Sequence, residues 1–257
     1  MLLALLIAIV LNLTFISPVW ILNRDIVLLE VLMHAILFFV GAGILTFGVF
    51  NVGITFLAVC FAYCFAFGVK KVFVKHNKAI DLLVVSMVSG FYAAGVMLLG
   101  FLLKKNLVNF DLSKTLILGN PAYLNQFETK LLLLLSLVLL LFNLLFNHRL
   151  FAHYFLNLRV SWFSSFLLAI MTILMQFLLI YVFGLIAGMA VSVLHFLCLA
   201  SGMTCKRTFF WITGVVNVSA VCCGYYLFAN FDGFLFGPTA VVLLVLFLLP
   251  LRFKYVY

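Results

Sequence analysis

The sequence predicts an all-α polytopic membrane protein with about nine transmembrane helices, and three observations carry that prediction. Hydrophobic residues make up 68% of the 257 positions, charged residues only 8%, and the mean hydropathy is +1.38. Soluble domains carry about 25% charged residues, so no soluble class accommodates this composition. The apolar residues are gathered into separate runs, most of them close to the ~20 residues that a helix needs to cross a bilayer. The strand alternation of an outer-membrane barrel is absent.

In order, the runs are Leu2–Leu22, Ile26–Thr46, Val49–Val69, Ile80–Leu103, Leu131–Phe146, Ser161–Gly184, Leu185–Ala200, Thr208–Asn230 and Phe236–Leu251. The sixth and seventh form one block that is too long for a single crossing of a ~30 Å core. Gly184 and Gly188 are the expected break, and eight spans is the alternative if one run is short or re-entrant. The most basic short loop carries Lys70, Lys71, Lys75 and Lys78 and is placed in the cytoplasm by the positive-inside rule. Alternation then puts Arg24, Arg149, Arg159, Lys206, Arg207, Arg252 and Lys254 inside as well. The remaining four basic residues, Lys104, Lys105, Lys114 and Lys130, fall in or beside one longer outer segment. The N-terminus is therefore expected outside and the C-terminus in the cytoplasm.

The first run has no basic stretch before it and no small-residue cleavage site after it, so it reads as a retained span. Asn12-Leu13-Thr14 matches a glycosylation sequon but lies inside that span and is set aside. Within the outer segment, Leu116 to Pro121 is apolar but too short to cross, which suits a re-entrant or surface helix. The turn Asn230-Phe231-Asp232-Gly233 precedes Gly237-Pro238-Thr239, with the proline tolerated in a helix's first turn. The net charge of +9 is spread between the runs and fixes topology; it does not form a nucleic-acid surface. The six cysteines, at 60, 64, 198, 205, 222 and 223, lack metal-finger spacing and read as small apolar packing groups. No soluble domain, internal repeat or Walker phosphate loop interrupts the single membrane region 1–257.

The residues with chemistry to offer are few. Glu30 and His34 lie four apart inside the second run, which stacks them on one helix face. An ionisable group at membrane depth costs at least ~2.5 kcal/mol and marks a pathway or binding site unless it is paired. Carboxylate oxygen and imidazole nitrogen suit borderline divalent cations such as zinc, manganese or iron. Two donors do not make a site, so further ligands have to come from another helix or another copy. The competing structural reading lets Glu30 snorkel beside Arg24 and leaves His34 hydrogen-bonded in the bundle. His195, in the seventh run, is either a further donor or a histidine bonded to a neighbouring carbonyl. Asp81 reads as an acid favourable at a helix N-terminus. Gln176, Asn217 and Ser219 read as polar groups joining helices. Gly41 with Gly43, Gly95 with Gly100 and Gly184 with Gly188 allow close helix approach, and only the last pair has packing-motif spacing. No nucleophile–base arrangement, paired catalytic carboxylates or His-Glu-x-x-His motif occurs, so an enzyme is not expected.

With those residues in view, the chain resembles the membrane permeases of metal-cation ABC importers, the zinc, manganese and iron-chelate family. Val27 to Ala35, containing Glu30 and His34, resembles the family's second-helix motif of an Asp followed four residues later by His and a small residue. Ala79-Ile80-Asp81-Leu82-Leu83 is similar to its segment after the basic loop, and Thr115 to Asn120 to its Tyr-Leu-Phe-Gly-Asp-like outer segment. Ser201 to Arg207 resembles its Pro-Ala-Ala-Thr-Ala-Arg-Arg-like helix end, and Gly237 to Val242 its Gly-Pro-x-x-Val-like opening of the last helix. Glu30 stands where the family has Asp, Ser201 replaces its proline, and Asn147 to Val160 is a shortened, basic version of its acidic coupling segment.

The resemblance implies a permease in a bacterial plasma (inner) membrane that passes a divalent cation inward, zinc first and manganese or iron as alternatives. It implies a second copy of the chain, a cytoplasmic ATP-binding subunit that hydrolyses ATP, an extracytoplasmic metal-binding protein and surrounding lipid as partners. No cofactor is expected to be held stably, because the metal is cargo. Glu30 and His34 from two copies would together supply four mixed donors. Two rival readings stay open: a self-contained cation carrier or channel without an ATPase, and a non-transporting scaffold in which Glu30 and His34 only pair.

Overall fold

Apolar runs become long helices, and seven of the nine expected runs are seen as such. The computed structural model describes residues 1–22, 26–48, 51–74, 80–107, 124–155, 162–184 and 207–231, together with Gly188 and Val242. Its helices are α1 (Leu2–Leu22), α2 (Ile26–Phe47), α3 (Val52–Val74), α4 (Ile80–Lys104), α5 (Gln126–Phe155), α6 (Trp162–Phe183) and α7 (Arg207–Asn230). Stretches of α1, α3, α4, α5 and α6 are long and apolar enough to cross a membrane, and α2 carries a shorter apolar stretch, Val31–Phe47. The all-α polytopic class follows. The expected seventh and ninth runs and the outer segment around Leu116 lie outside the described residues, apart from Gly188 and Val242.

Contacts between helices group the chain into two units, one of residues 1–24 with 117–257 and one of residues 25–116. In the first unit, α1 is the central post, packed against α5, α6 and α7, while α5 also meets α6. Apolar side chains all round a helix suit a post enclosed by others. Leu5, Ile9, Leu13, Ile16 and Trp20 of α1 are fully buried. Pro18, inside α1, has no N–H for the Thr14 carbonyl four residues back. The Ser17 hydroxyl approaches that carbonyl at 3.5 Å and partly replaces the missing donor.

The start of α5 is a reciprocal capping box. The Glu128 N–H donates to Asn125 Oδ1 at 2.7 Å, and the Asn125 N–H donates to Glu128 Oε2 at 3.1 Å. The second carboxylate oxygen of Glu128 accepts from the Tyr181 hydroxyl at 3.0 Å, so the start of α5 lies beside the end of α6 and the two run antiparallel. The sequence places the end of the fifth run at Phe146, with a cytoplasmic segment after it. Instead α5 continues to Phe155, because Asn147 to Phe155 contains neither proline nor glycine to stop it. At 30 residues it is about 45 Å long, more than the bilayer core is thick. The end of α6 at Phe183 and the positive φ of Gly184 (79°) are the expected break.

In the second unit, α2 packs against both α3 and α4. Gly48 closes α2 with φ 72°, its N–H donating to the Ile44 carbonyl at 2.8 Å. Asn51 caps α3 by accepting the Ile54 N–H at 2.9 Å. This short connection makes α2 and α3 an antiparallel pair. A Cβ at Gly43 would lie 2.6 Å from Ile54 Cγ2, so the pair is closely joined at that end. Leu37 meets Gly95 and Gly41 meets Leu98, so residue numbers rise together and α2 runs parallel to α4. At the far end of α4, Asn106 takes φ 56°, and the Asn106 and Leu107 N–H groups return to Leu103 and Leu102, each at 3.0 Å.

Candidate functional site

Both candidate donors lie on α2. Glu30 precedes His34 by one helical turn, as the spacing predicts, although the Glu30 side chain lies outside the described residues. The His34 side chain is half-buried and meets the Tyr92 ring of α4 edge-on, with centroids 5.9 Å apart and planes at 73°. One turn further along the same seam, a Cβ on Gly95 would stand 2.8 Å from Leu37 Cγ and 3.0 Å from the Phe38 backbone nitrogen. Only glycine fits there without displacing α2.

Beyond that contact, Phe91 of α4 packs edge-on against Phe38 at 5.8 Å and against Phe65 of α3 at 4.7 Å. It also stacks on Phe39 at 6.4 Å, and Phe39 in turn stacks on Phe61 at 6.2 Å. Rings from three helices thus fix the rotation of α2 around its axis, and with it the direction in which His34 points. Among the described residues, no three His, Cys, Asp or Glu side chains come together as a metal site. His34 is one imidazole in an aromatic wall, and any cation it holds needs donors from elsewhere.

His195, Arg24 and the segment Ser201 to Lys206 lie outside the described residues, as does the side chain of Asp81. The second unit also has a cavity of about 430 Å³ between Phe39, Gly43, Thr46, Ile54, Leu57 and Phe61. Its one hydroxyl, on Thr46, donates to the Ala42 and Gly43 carbonyls of its own helix, so the cavity offers no ligand set.

The first unit holds the strongest polar arrangement in the described chain, and the sequence reading missed its centre. Asn12 of α1, set aside as a buried sequon, donates to the Ser136 carbonyl of α5 at 2.8 Å and to its own Ala8 carbonyl at 2.9 Å. Its Oδ1 accepts from Asn143 Nδ2 of α5 at 2.7 Å. Thr14 accepts from Asn217 Nδ2 of α7 at 3.0 Å, which is the interhelical role expected for Asn217. Trp20 Nε1 donates to the Thr172 hydroxyl of α6 at 2.8 Å. Each neighbour of α1 is therefore tied to it by a named bond. Gln176 behaves differently: it is fully buried, yet neither atom of its amide has a hydrogen-bond partner among the described residues. Ser219, expected to join helices, is exposed. The signal for Asn12 and Asn143 was their mid-span position, where a carboxamide is as conspicuous as a charge.

These groups are neutral amides, hydroxyls and an indole, and they can tie helices together but offer no base, nucleophile or charged ligand.

No family model matches the sequence, and no curated protein matches it. A solved structure, PsaBC from Streptococcus pneumoniae in complex with a Fab, is similar in fold. The TM-score is 0.74 at 17% sequence identity, over 98% of this chain and 89% of the matched chain. The likeness in fold thus extends over nearly the whole chain.

Proposed function

We propose that this chain is the membrane-spanning permease subunit of an ABC importer for a divalent metal cation. The observation that carries the proposal is the fold shared with PsaBC from Streptococcus pneumoniae over 98% of the chain, taken together with the sequence motifs that resemble the metal-cation permeases. The placement of Glu30 and His34 one turn apart on α2 supports it chemically. The chain has no phosphate-binding loop of its own, so ATP hydrolysis belongs to a cytoplasmic partner subunit. An extracytoplasmic binding protein delivers the cation to the outer face, where the N-terminus lies in the proposed orientation. The C-terminus is cytoplasmic.

Glu30 and His34 act as a transient step on the path. Two copies of the chain facing one another would bring two carboxylates and two imidazoles to one ion, a mixed oxygen and nitrogen set that accepts zinc, manganese or iron. Glu30 reaches one methylene further than an Asp would, with the same ligand atom. A site assembled from two chains and left open to the path releases its ion more readily than a closed structural cage. That property suits transport.

The test is metal uptake by cells that carry the chain with its partner ATPase. Glu30→Ala and His34→Ala are each expected to abolish uptake while the protein still reaches the membrane. Wild-type uptake by the double variant sinks the proposed site. Cation movement by the purified chain alone in liposomes, with no ATPase, would instead support a self-contained carrier.

A further inference from the structure

We infer that Tyr92 is a positioning residue for the cation site: its ring holds the His34 imidazole in the orientation that presents a nitrogen to the ion. The inference rests on the proposed cation role of His34 and adds a residue from a different helix.

The reason lies first in the torsion of histidine itself. The χ2 angle of an imidazole is broad, so the helix backbone by itself does not fix the rotation of the ring. A neighbouring ring set edge-on restricts that torsion, and Tyr92 stands edge-on to His34 at 5.9 Å and 73°. Metal-ligating histidines depend on outer partners for ring orientation, commonly a hydrogen-bond acceptor; here the ring of Tyr92 takes that part by contact.

The second reason is the register that puts Tyr92 there. Parallel packing of α2 on α4 brings Leu37 onto Gly95 and Gly41 onto Leu98, one and two turns beyond the His34–Tyr92 pair. The missing Cβ at Gly95 lets the two helices approach to near backbone contact, so the rise along one is locked to the rise along the other. Phe91, the residue before Tyr92, is held between Phe38 and Phe65 and fixes the rotation of α4 at this level. Tyr92 is 46% exposed. It stands beside the half-buried His34 at the surface of its unit.

The experiment measures the concentration dependence of manganese and zinc uptake by the complete transporter in cells. Tyr92→Leu is expected to raise KM about tenfold at a maximal rate, per molecule in the membrane, close to wild type, the low end of what a metal site loses with an outer partner. Tyr92→Phe keeps the ring and is expected to restore the wild-type KM. Tyr92→Met serves the same purpose as the leucine variant if that protein fails to accumulate. A wild-type KM in Tyr92→Leu or Tyr92→Met, with uptake abolished by His34→Ala, overturns the inference and leaves the cation site standing. A Phe variant as impaired as the Leu variant also overturns it, because the hydroxyl and not the ring would then be the acting group. Wild-type uptake by His34→Ala removes the site itself, and the inference with it.

Discussion

The two units are each built around one apolar helix, but α1 and α2 are held by different means. The α1 helix is tied to its neighbours by directed hydrogen bonds, Asn12 to α5, Thr14 to α7 and Trp20 to α6. The described seams of α2 are made by missing side chains and by rings, with Gly41, Gly43 and Gly95 admitting close approach and five phenylalanines packed across three helices. In a bilayer the lipid is as apolar as leucine, so burial of apolar surface does not select one helix face over another. Something else has to set register. Polar pairing does it in the first unit, and shape does it in the second.

The two mechanisms fail differently. A hydrogen-bonded seam loses a defined bond and strands its partner, whereas a ring-and-glycine seam loses fit gradually. The sharpest test of this difference is Asn12→Leu, which removes four bonds and leaves the Asn143 amide buried without its acceptor. A loss of about 2–3 kcal/mol is expected, read as a lower unfolding temperature of the purified protein in detergent. Adding Asn143→Leu should recover part of that loss, because replacing both partners of a buried bond costs less than orphaning one. If the double variant is instead worse by the sum of the two, the seam is not a coupled unit.

In the second unit, Gly95→Ala sets a methyl 2.8 Å from Leu37 Cγ and 3.0 Å from a backbone nitrogen. The expected cost is about 1–2 kcal/mol, shared between a shifted Leu37 rotamer and a small separation of α2 from α4. Gly100→Ala, where nothing stands within 4 Å, is the control and should be silent by the same melting measurement. Equal losses at the two positions would mean that the glycine seam does not set the register.

The smallest effect expected has the opposite sign. Gln176 is fully buried with neither amide atom paired among the described residues, so Gln176→Met should be neutral or should stabilise by about 1 kcal/mol. A clear loss of stability would show that the amide has a partner such as an ordered water, and would extend the polar seam of α1 further along α6.

How far the sequence was legible follows from the same physics. Runs such as Leu2–Leu22 and Ser161–Gly184 coincide with α1 and α6 to within a residue or two, since the need for a continuous apolar helix is local. The break at Gly184 was also legible, because a left-handed φ falls most readily on glycine. The end of α5 was not. A drop in hydropathy after Phe146 marks where the chain leaves an apolar environment, not where its helix stops.

Faces were harder still. Along α5 the exposed positions include Leu134, Leu137, Leu141 and Leu144, while Ser136 and Asn143 are buried beside Leu132 and Leu139. This is the reverse of a soluble amphipathic helix, and a reading that seeks a leucine stripe for the interior chooses the wrong side. The dismissal of Asn12 came from treating it as a sequence motif; its meaning was that of a polar group at membrane depth.

By itself, then, the sequence determined the class of the protein, the course of most of its helices and the stacking of Glu30 and His34 on one turn of α2. Each of these follows from composition and from the pitch of the helix, and needs no knowledge of neighbours. Only the tertiary structure decided that Asn12 meets Ser136 and Asn143, that α2 lies parallel to α4, and that Tyr92 stands against His34. Those pairings depend on register between segments far apart in the chain. Register is set by single amides and absent side chains, whose partners cannot be identified until the helices are packed.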